Sequence, residues 1–114
     1  MKRTFLGEFE EIVLLVVAAC ADPAYGVNVW ESIQQATGRS ITLSAVHATL
    51  YRLEEKGFLT SEMGGATAER GGRRKRFFTI TNLGSRALQE IQLIRKQLWQ
   101  SIPQEKLQTK LSFS

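Results

Sequence analysis

The apolar positions along the chain follow a helical period at both ends and an extended pattern in one stretch between. From about Gly7 to Cys20, Phe5, Phe9, Ile12, Val16 and Ala19 keep the i, i+4, i+7 spacing of one helical face. Leu6, Val13 and Val17 make a second face. Past its first turn this helix is therefore apolar over most of its circumference and needs neighbours on several sides. In so small a domain, one of those neighbours is expected from a second chain. Asp22-Pro23 supplies a capping oxygen and a first-turn proline for a second helix. That helix carries Val29, Trp30 and Ile33 and ends at Thr37-Gly38, where the glycine takes a left-handed cap. Trp30 reads either as core or as an aromatic at a partner surface, core being preferred. Ile41 reads as a short strand. Thr42 caps a third helix, Leu43 to Lys56, closed by Gly57, with Val46, Leu50 and Leu53 on its inner stripe and Ser44, His47, Ala48, Tyr51 and Arg52 facing outward.

The pattern then changes. Phe58 to Met63 reads as a strand, Gly64 to Gly72 as a turn-rich stretch with four glycines, and Arg76 to Thr81 as the returning strand, with Phe77, Phe78 and Ile80 as β-formers. Thr81 caps a last helix from about Asn82 to Ile102, roughly 30 Å long at 1.5 Å per residue. On it Leu83, Ala87, Ile91, Ile94, Leu98 and Ile102, with Leu88 and Trp99, form an apolar stripe about 160° wide. One small domain can hardly cover that stripe from one side. Pro103 ends the helix. The polar tail to Ser114 is expected to be loose, with Leu111 and Phe113 as anchors that could tack it down. The division is residues 1–81 as one compact unit, 82–103 as an association helix and 104–114 as tail. The fold class is mainly α with a two-stranded β-hairpin.

Composition narrows the chemistry. The 114 residues suit one domain. One cysteine, Cys20, excludes a disulfide framework or a Cys-rich zinc site, and one histidine, His47, excludes a His-based metal cluster. Cys20 reads as a small buried hydrophobe rather than a redox sensor. No apolar stretch reaches the roughly 18 residues of a membrane span. The basic start, the apolar run from Ile12 to Ala21 and the small residues around Cys20 resemble an export signal, but Glu8, Glu10 and Glu11 stand at the junction such signals keep free of acid. The segment is read as a core helix of a cytoplasmic protein.

The net charge of +4 is concentrated. Five of the fifteen basic residues, Arg70, Arg73, Arg74, Lys75 and Arg76, lie within residues 70–76, and without them ten basic residues face eleven acidic ones. A local basic patch on a nearly neutral body is a docking surface for a polyanion. It sits on a hairpin directly after a capped helix, the order of a winged helix-turn-helix. In that arrangement the third helix enters the major groove of DNA, and its outward residues Ser44, His47, Ala48, Tyr51 and Arg52 reach the base edges. The hairpin neutralises phosphates, with Arg73 and Arg74 as first candidates, then Arg70 and Lys75. Arg52 could instead pair with Glu55 or Glu31. Enzyme chemistry fails on inventory: the sequence shows no phosphate-binding glycine loop, no metal-ligand spacing and no nucleophile beside a base. No cofactor is expected.

Several segments resemble the PadR-like transcriptional regulators. They are Leu6-Gly7-Glu8-Phe9-Glu10, Ala24-Tyr25-Gly26-Val27, Thr49-Leu50-Tyr51-Arg52-Leu53-Glu54-Glu55-Lys56-Gly57, the basic stretch from Glu69 to Phe78, and Thr81-Asn82-Leu83-Gly84. Their order and spacing carry the resemblance, which runs from about Leu6 to Trp99 and is closest to the short branch with one C-terminal helix. It implies a homodimeric, ligand- or signal-responsive repressor on an inverted-repeat operator, with the last helix making the dimer. The chain departs from the family in having His47 where tyrosine is usual and Tyr51 where a polar or charged residue is common. Candidate dimer residues are Phe9, Val13, Leu88, Ile91, Leu98, Trp99 and Ile102. Trp30 and Trp99 are candidates to line an interface cavity, where multidrug-sensing relatives hold flat aromatic compounds. The competing reading is a winged-helix interaction module that uses its basic hairpin on an acidic protein or RNA without reading DNA sequence.

Overall fold

The computed structural model describes residues 6–21, 23–64 and 75–107. In order, the elements are α1 (Glu8–Ala19), α2 (Gly26–Thr37), α3 (Leu43–Glu55), β1 (Leu59–Met63), β2 (Arg76–Ile80), α4 (Asn82–Gln100) and a one-turn α5 (Gln104–Leu107). Helices α1, α2 and α3 pack mutually, and the antiparallel β1–β2 hairpin closes one side. The core they share contains Val13, Leu14, Val29, Ile33, Val46, Leu50 and Leu53, with Phe58 and Phe78 from the hairpin side. The inner stripe expected of α3 is thus fully buried.

Local chemistry sets most boundaries. The Gly7 N–H donates to the Glu10 carboxylate at 2.8 Å, which starts α1. The Thr42 hydroxyl accepts from the Ala45 N–H and starts α3. Gly38 (φ 71°) and Gly57 (φ 86°) end α2 and α3 in the left-handed region that other residues enter at a cost. The hairpin pairs Leu59 with Ile80 through Met63 with Arg76. Each strand is one residue shorter than the sequence suggests, because Phe58 and Thr81 belong to the junction with α4.

Three expectations are corrected. Helix α2 starts at Gly26, not at Asp22-Pro23. Ala24 forms an isolated bridge with Phe78, whose N–H donates to the Ala24 carbonyl at 2.8 Å, and that bond requires extended backbone where the helix was expected. The Tyr25 N–H then donates to Asn28 Oδ1 and opens the helix. Asp22 lies outside the described residues. Ile41 is not in a strand; its carbonyl accepts from the Trp30 indole N–H at 2.9 Å. The segment after Pro103 is not wholly loose, since residues 104–107 make a helical turn; Leu111 and Phe113 lie outside the described residues.

The root of α4 is held by three groups. The Thr81 N–H donates to the Phe58 carbonyl, the Thr81 hydroxyl donates to the Gly57 carbonyl at 2.7 Å, and the same oxygen accepts from the Gly84 N–H at 3.0 Å. Gly84 presses against the Phe58 backbone so closely that a Cβ there would overlap the Phe58 carbonyl oxygen and lie 2.9 Å from Ile80 Cγ1. Gly84→Ala is therefore expected to cost about 1–3 kcal/mol by overpacking, although alanine is the better helix former. Chemical denaturation measures it; a stabilised variant would show that α4 can slide off Phe58.

Candidate nucleic-acid interface

The outward face of α3 and the loop-ward end of the hairpin strands border one cleft of about 430 Å³. Tyr25, Gly26 and Val27 at the start of α2 form one wall, His47 and Tyr51 of α3 the floor, and Met63, Lys75, Arg76 and Phe78 of the hairpin the other wall. Among the described residues, the outward side of α3 and the loop-ward end of the hairpin strands therefore face one common space.

Aromatic contacts fix this surface. His47 and Tyr51, one helical turn apart, stack with centroids 6.4 Å apart and planes inclined by 23°. Tyr51 also meets Phe78 of β2 edge-on at 5.8 Å. On the other wall, Tyr25 meets Phe77 edge-on at 5.7 Å, and Lys75 Nζ sits 4.4 Å from the Tyr25 ring centroid, within cation–π range. Arg76 donates to the Ser61 hydroxyl at 2.9 Å, and Ser61 donates to the Glu54 carboxylate at 2.7 Å, tying the hairpin to the end of α3.

Ser44, Ala48, Tyr51 and Arg52 are exposed, and His47 is half-buried. Lys75 lies at the mouth of the hairpin; Arg70, Arg73 and Arg74 lie outside the described residues. Arg52 has a partner other than those expected. Its Nε donates to Glu10 Oε2 at 2.9 Å and Nη2 to the Thr49 hydroxyl at 3.3 Å, so neither Glu55 nor Glu31 holds it. The reason is packing: α1 lies along that side of α3, while half of the Arg52 side chain stays open to solvent.

Two α1 carboxylates proved more important than their sequence context suggests. Glu10 and Glu11 are both buried. Glu10 accepts from Arg52, from Lys56 Nζ (3.0 Å to each oxygen) and from the Gly7 N–H. Burial pushes its pKa up, but the Gly7 N–H, Lys56 and Arg52 outweigh that and hold it below the ordinary value of 4.5. Glu11 accepts from Arg95 of α4 at 2.7 Å. Adjacent α1 residues therefore tie α1 to α3 and to α4. The signal was available as acids inside an otherwise apolar helix, but not their partners. Tyr25 and Gly26 also line the cleft, and no local sequence signal marks them as doing so.

The second surface is the far half of α4. Gly84 and Leu88 are buried and Ile91 is half-buried, but residues 92–100 are all exposed, with Leu98 and Trp99 each at 63%. Leu93 and Ile94 are exposed too. Ile102 is half-buried and joins Leu98, Trp99 and Arg95 around an open depression of about 660 Å³. Two dimer candidates are corrected. Val13 is wholly inside the protomer core and has no surface to give a partner, and Leu88 at 8% exposure has almost none. Phe9 is half-buried against the same core. Trp30 does not line the depression at Trp99; its indole is held by the Ile41 carbonyl and packs on the core. Cys20 is half-buried beside that core.

Among the described residues, no group of three His, Cys, Asp or Glu side chains could hold a metal ion, and no helix is long and apolar enough to cross a membrane. Searching the curated proteins gives no match. The fold is similar to a PadR-like transcriptional regulator from Bacillus cereus strain ATCC 14579, with a TM-score of 0.68 at 13% identity, over 89% of this chain and 93% of that one. It is similar also to a PadR family regulator from Eggerthella lenta DSM 2243, with a TM-score of 0.66 at 23% identity, over 90% of this chain and 88% of that one. The family model described as "Transcriptional regulator PadR-like family" matches residues 13–90. With the winged helix, the cleft and the protruding α4 already in place, that match means the chain belongs to the PadR-like family of transcriptional regulators, proteins that act on transcription and not as enzymes.

Proposed function

We propose that this regulator is a homodimeric, cytoplasmic repressor that binds an inverted-repeat operator in double-stranded DNA. The observation that carries the reading is the shared cleft: α3 and the hairpin border one surface, with Lys75 and Arg76 on its rim and the sequence placing three more arginines just beyond. In this reading Ser44, His47, Ala48 and Tyr51 meet base edges, and Arg52 turns from Glu10 to the groove or an adjacent phosphate. Lys75 with Arg70, Arg73 and Arg74 neutralises backbone phosphates. Residues 1–81 serve as the DNA-binding unit and 82–103 as the dimer helix, joined by Phe9, Ile91, Leu98, Trp99 and Ile102. A planar effector would lie in the depression against Trp99.

The test is affinity for random duplex across a salt series. Log affinity should fall linearly with log salt, by about 0.9 per phosphate neutralised. Replacing Arg73, Arg74 and Lys75 together with alanine should weaken binding to all duplexes alike and reduce that slope by about two to three units. A slope that is flat from the outset would assign the basic hairpin to an acidic protein or RNA instead.

A further inference from the structure

The start of α2 bears on sequence reading in a way that the groove-facing residues alone do not show. Gly26 is the first residue of α2, and its backbone is not in the left-handed region, so nothing in its own conformation demands glycine. Alanine there would favour the helix. What demands glycine is a neighbour from another element. A Cβ on Gly26 would overlap the His47 ring at Cε1, and would lie 2.6 Å from Nε2 and 3.0 Å from Nδ1. Gly26 is buried beneath that imidazole.

We infer that Gly26 is a positioning residue for operator specificity: by offering no side chain, it lets the His47 imidazole lie against the start of α2 and so holds His47 and Tyr51 as one stacked unit facing the groove. This rests on the DNA-reading role proposed above. The contacts form a chain. Gly26 seats His47, His47 stacks on Tyr51, and Tyr51 meets Phe78 of the hairpin. A methyl group at position 26 turns the imidazole out of its plane with Tyr51 and breaks the stack, leaving Tyr51 held only by Phe78. Base-edge contacts made by the pair are then lost. Phosphate contacts from the basic hairpin are untouched, because they arise on a different element.

The experiment compares the parent chain, Gly26→Ala, His47→Ala and the double variant for affinity to a duplex selected by the parent and to random duplex, with thermal melting alongside. Gly26→Ala and His47→Ala should each lower the ratio of selected to random affinity about tenfold, the range of one lost base contact, with random-duplex affinity held. The double variant should be no worse than His47→Ala, since without the ring the methyl group has space. Should Gly26→Ala fail to fold, the double variant must still fold and match His47→Ala. Multiplying losses, an undiminished ratio in either single variant, or a double variant that does not fold would each overturn the inference. Failure of the parent to prefer any sequence would instead overturn the proposed function beneath it.

Discussion

Ile94→Glu combined with Leu98→Glu is expected to yield a folded monomer that binds operator DNA at least about a hundredfold more weakly than the parent. The fold should survive because both side chains point away from the protomer core, at 44% and 63% exposure. Association should not survive. Leu93, Ile94, Leu98 and Trp99 lie exposed on one helix, and the proposed dimer buries them against a second copy. Burying that apolar surface contributes roughly 25 cal/mol per Å², whereas burying four unpaired carboxylates in the same seam opposes association strongly. The loss on DNA follows from linkage between half-sites: the second arm of a dimer binds at an effective concentration that multiplies affinity by about 10² to 10⁴, and a monomer forfeits it. Light scattering gives the mass and fluorescence anisotropy the affinity. A variant that keeps the parent's mass would place the dimer elsewhere or remove it.

Glu10→Ala is expected to cost about 1–3 kcal/mol of folding stability, the largest effect of any polar substitution proposed. Three groups lose their acceptor: the Gly7 N–H that starts α1, Lys56 and Arg52. The figure stays below that of a fully buried pair because half of the Arg52 side chain and a third of the Lys56 side chain reach solvent, where both cations can hydrate. Glu10→Gln, which keeps an oxygen for the Gly7 N–H, should cost less. Acid titration provides an independent check. The folded pKa of Glu10 lies below that of the unfolded chain, so the unfolded state takes up the proton first. Its contribution is complete above the ordinary value near 4.5 and is lost as pH falls through the lower folded value. Glu10→Ala should therefore flatten the acid limb of the stability curve and leave the slope at neutral pH unchanged. Unfolding by urea at several pH values measures both.

Much of this architecture was legible because local signals and packing agree. Thr42 and Thr81 cap the helices they were expected to cap, Gly38 and Gly57 end theirs, and Val46, Leu50 and Leu53 are buried as their spacing required. Apart from the local turn after Pro103, the failures share a cause: a distant segment decided each. The Asp22-Pro23 signal was overridden because Phe78, far along the chain, pairs with Ala24. Arg52 went to Glu10, 42 residues away, and periodicity says nothing of such a partner. Val13 lies on an apolar face, as expected, but the spacing could not tell whether that face meets this chain or another. His47 and Tyr51 were recognisable as outward residues of α3. Their seating against Gly26 and Phe78 was not, because it arises only when α2 and the hairpin close around α3.

The most direct trial of the whole reading is selection of duplexes bound by the unaltered protein from a random pool. A saddle formed by α3 and the arginine-bearing hairpin, doubled by two-fold symmetry through α4, should enrich one short motif present twice in inverted orientation. The centres of the two copies should lie about one helical turn, 10 to 10.5 base pairs, or a multiple of it, apart. A pool that emerges from repeated rounds without enrichment, or with a motif that never occurs in pairs, would contradict it.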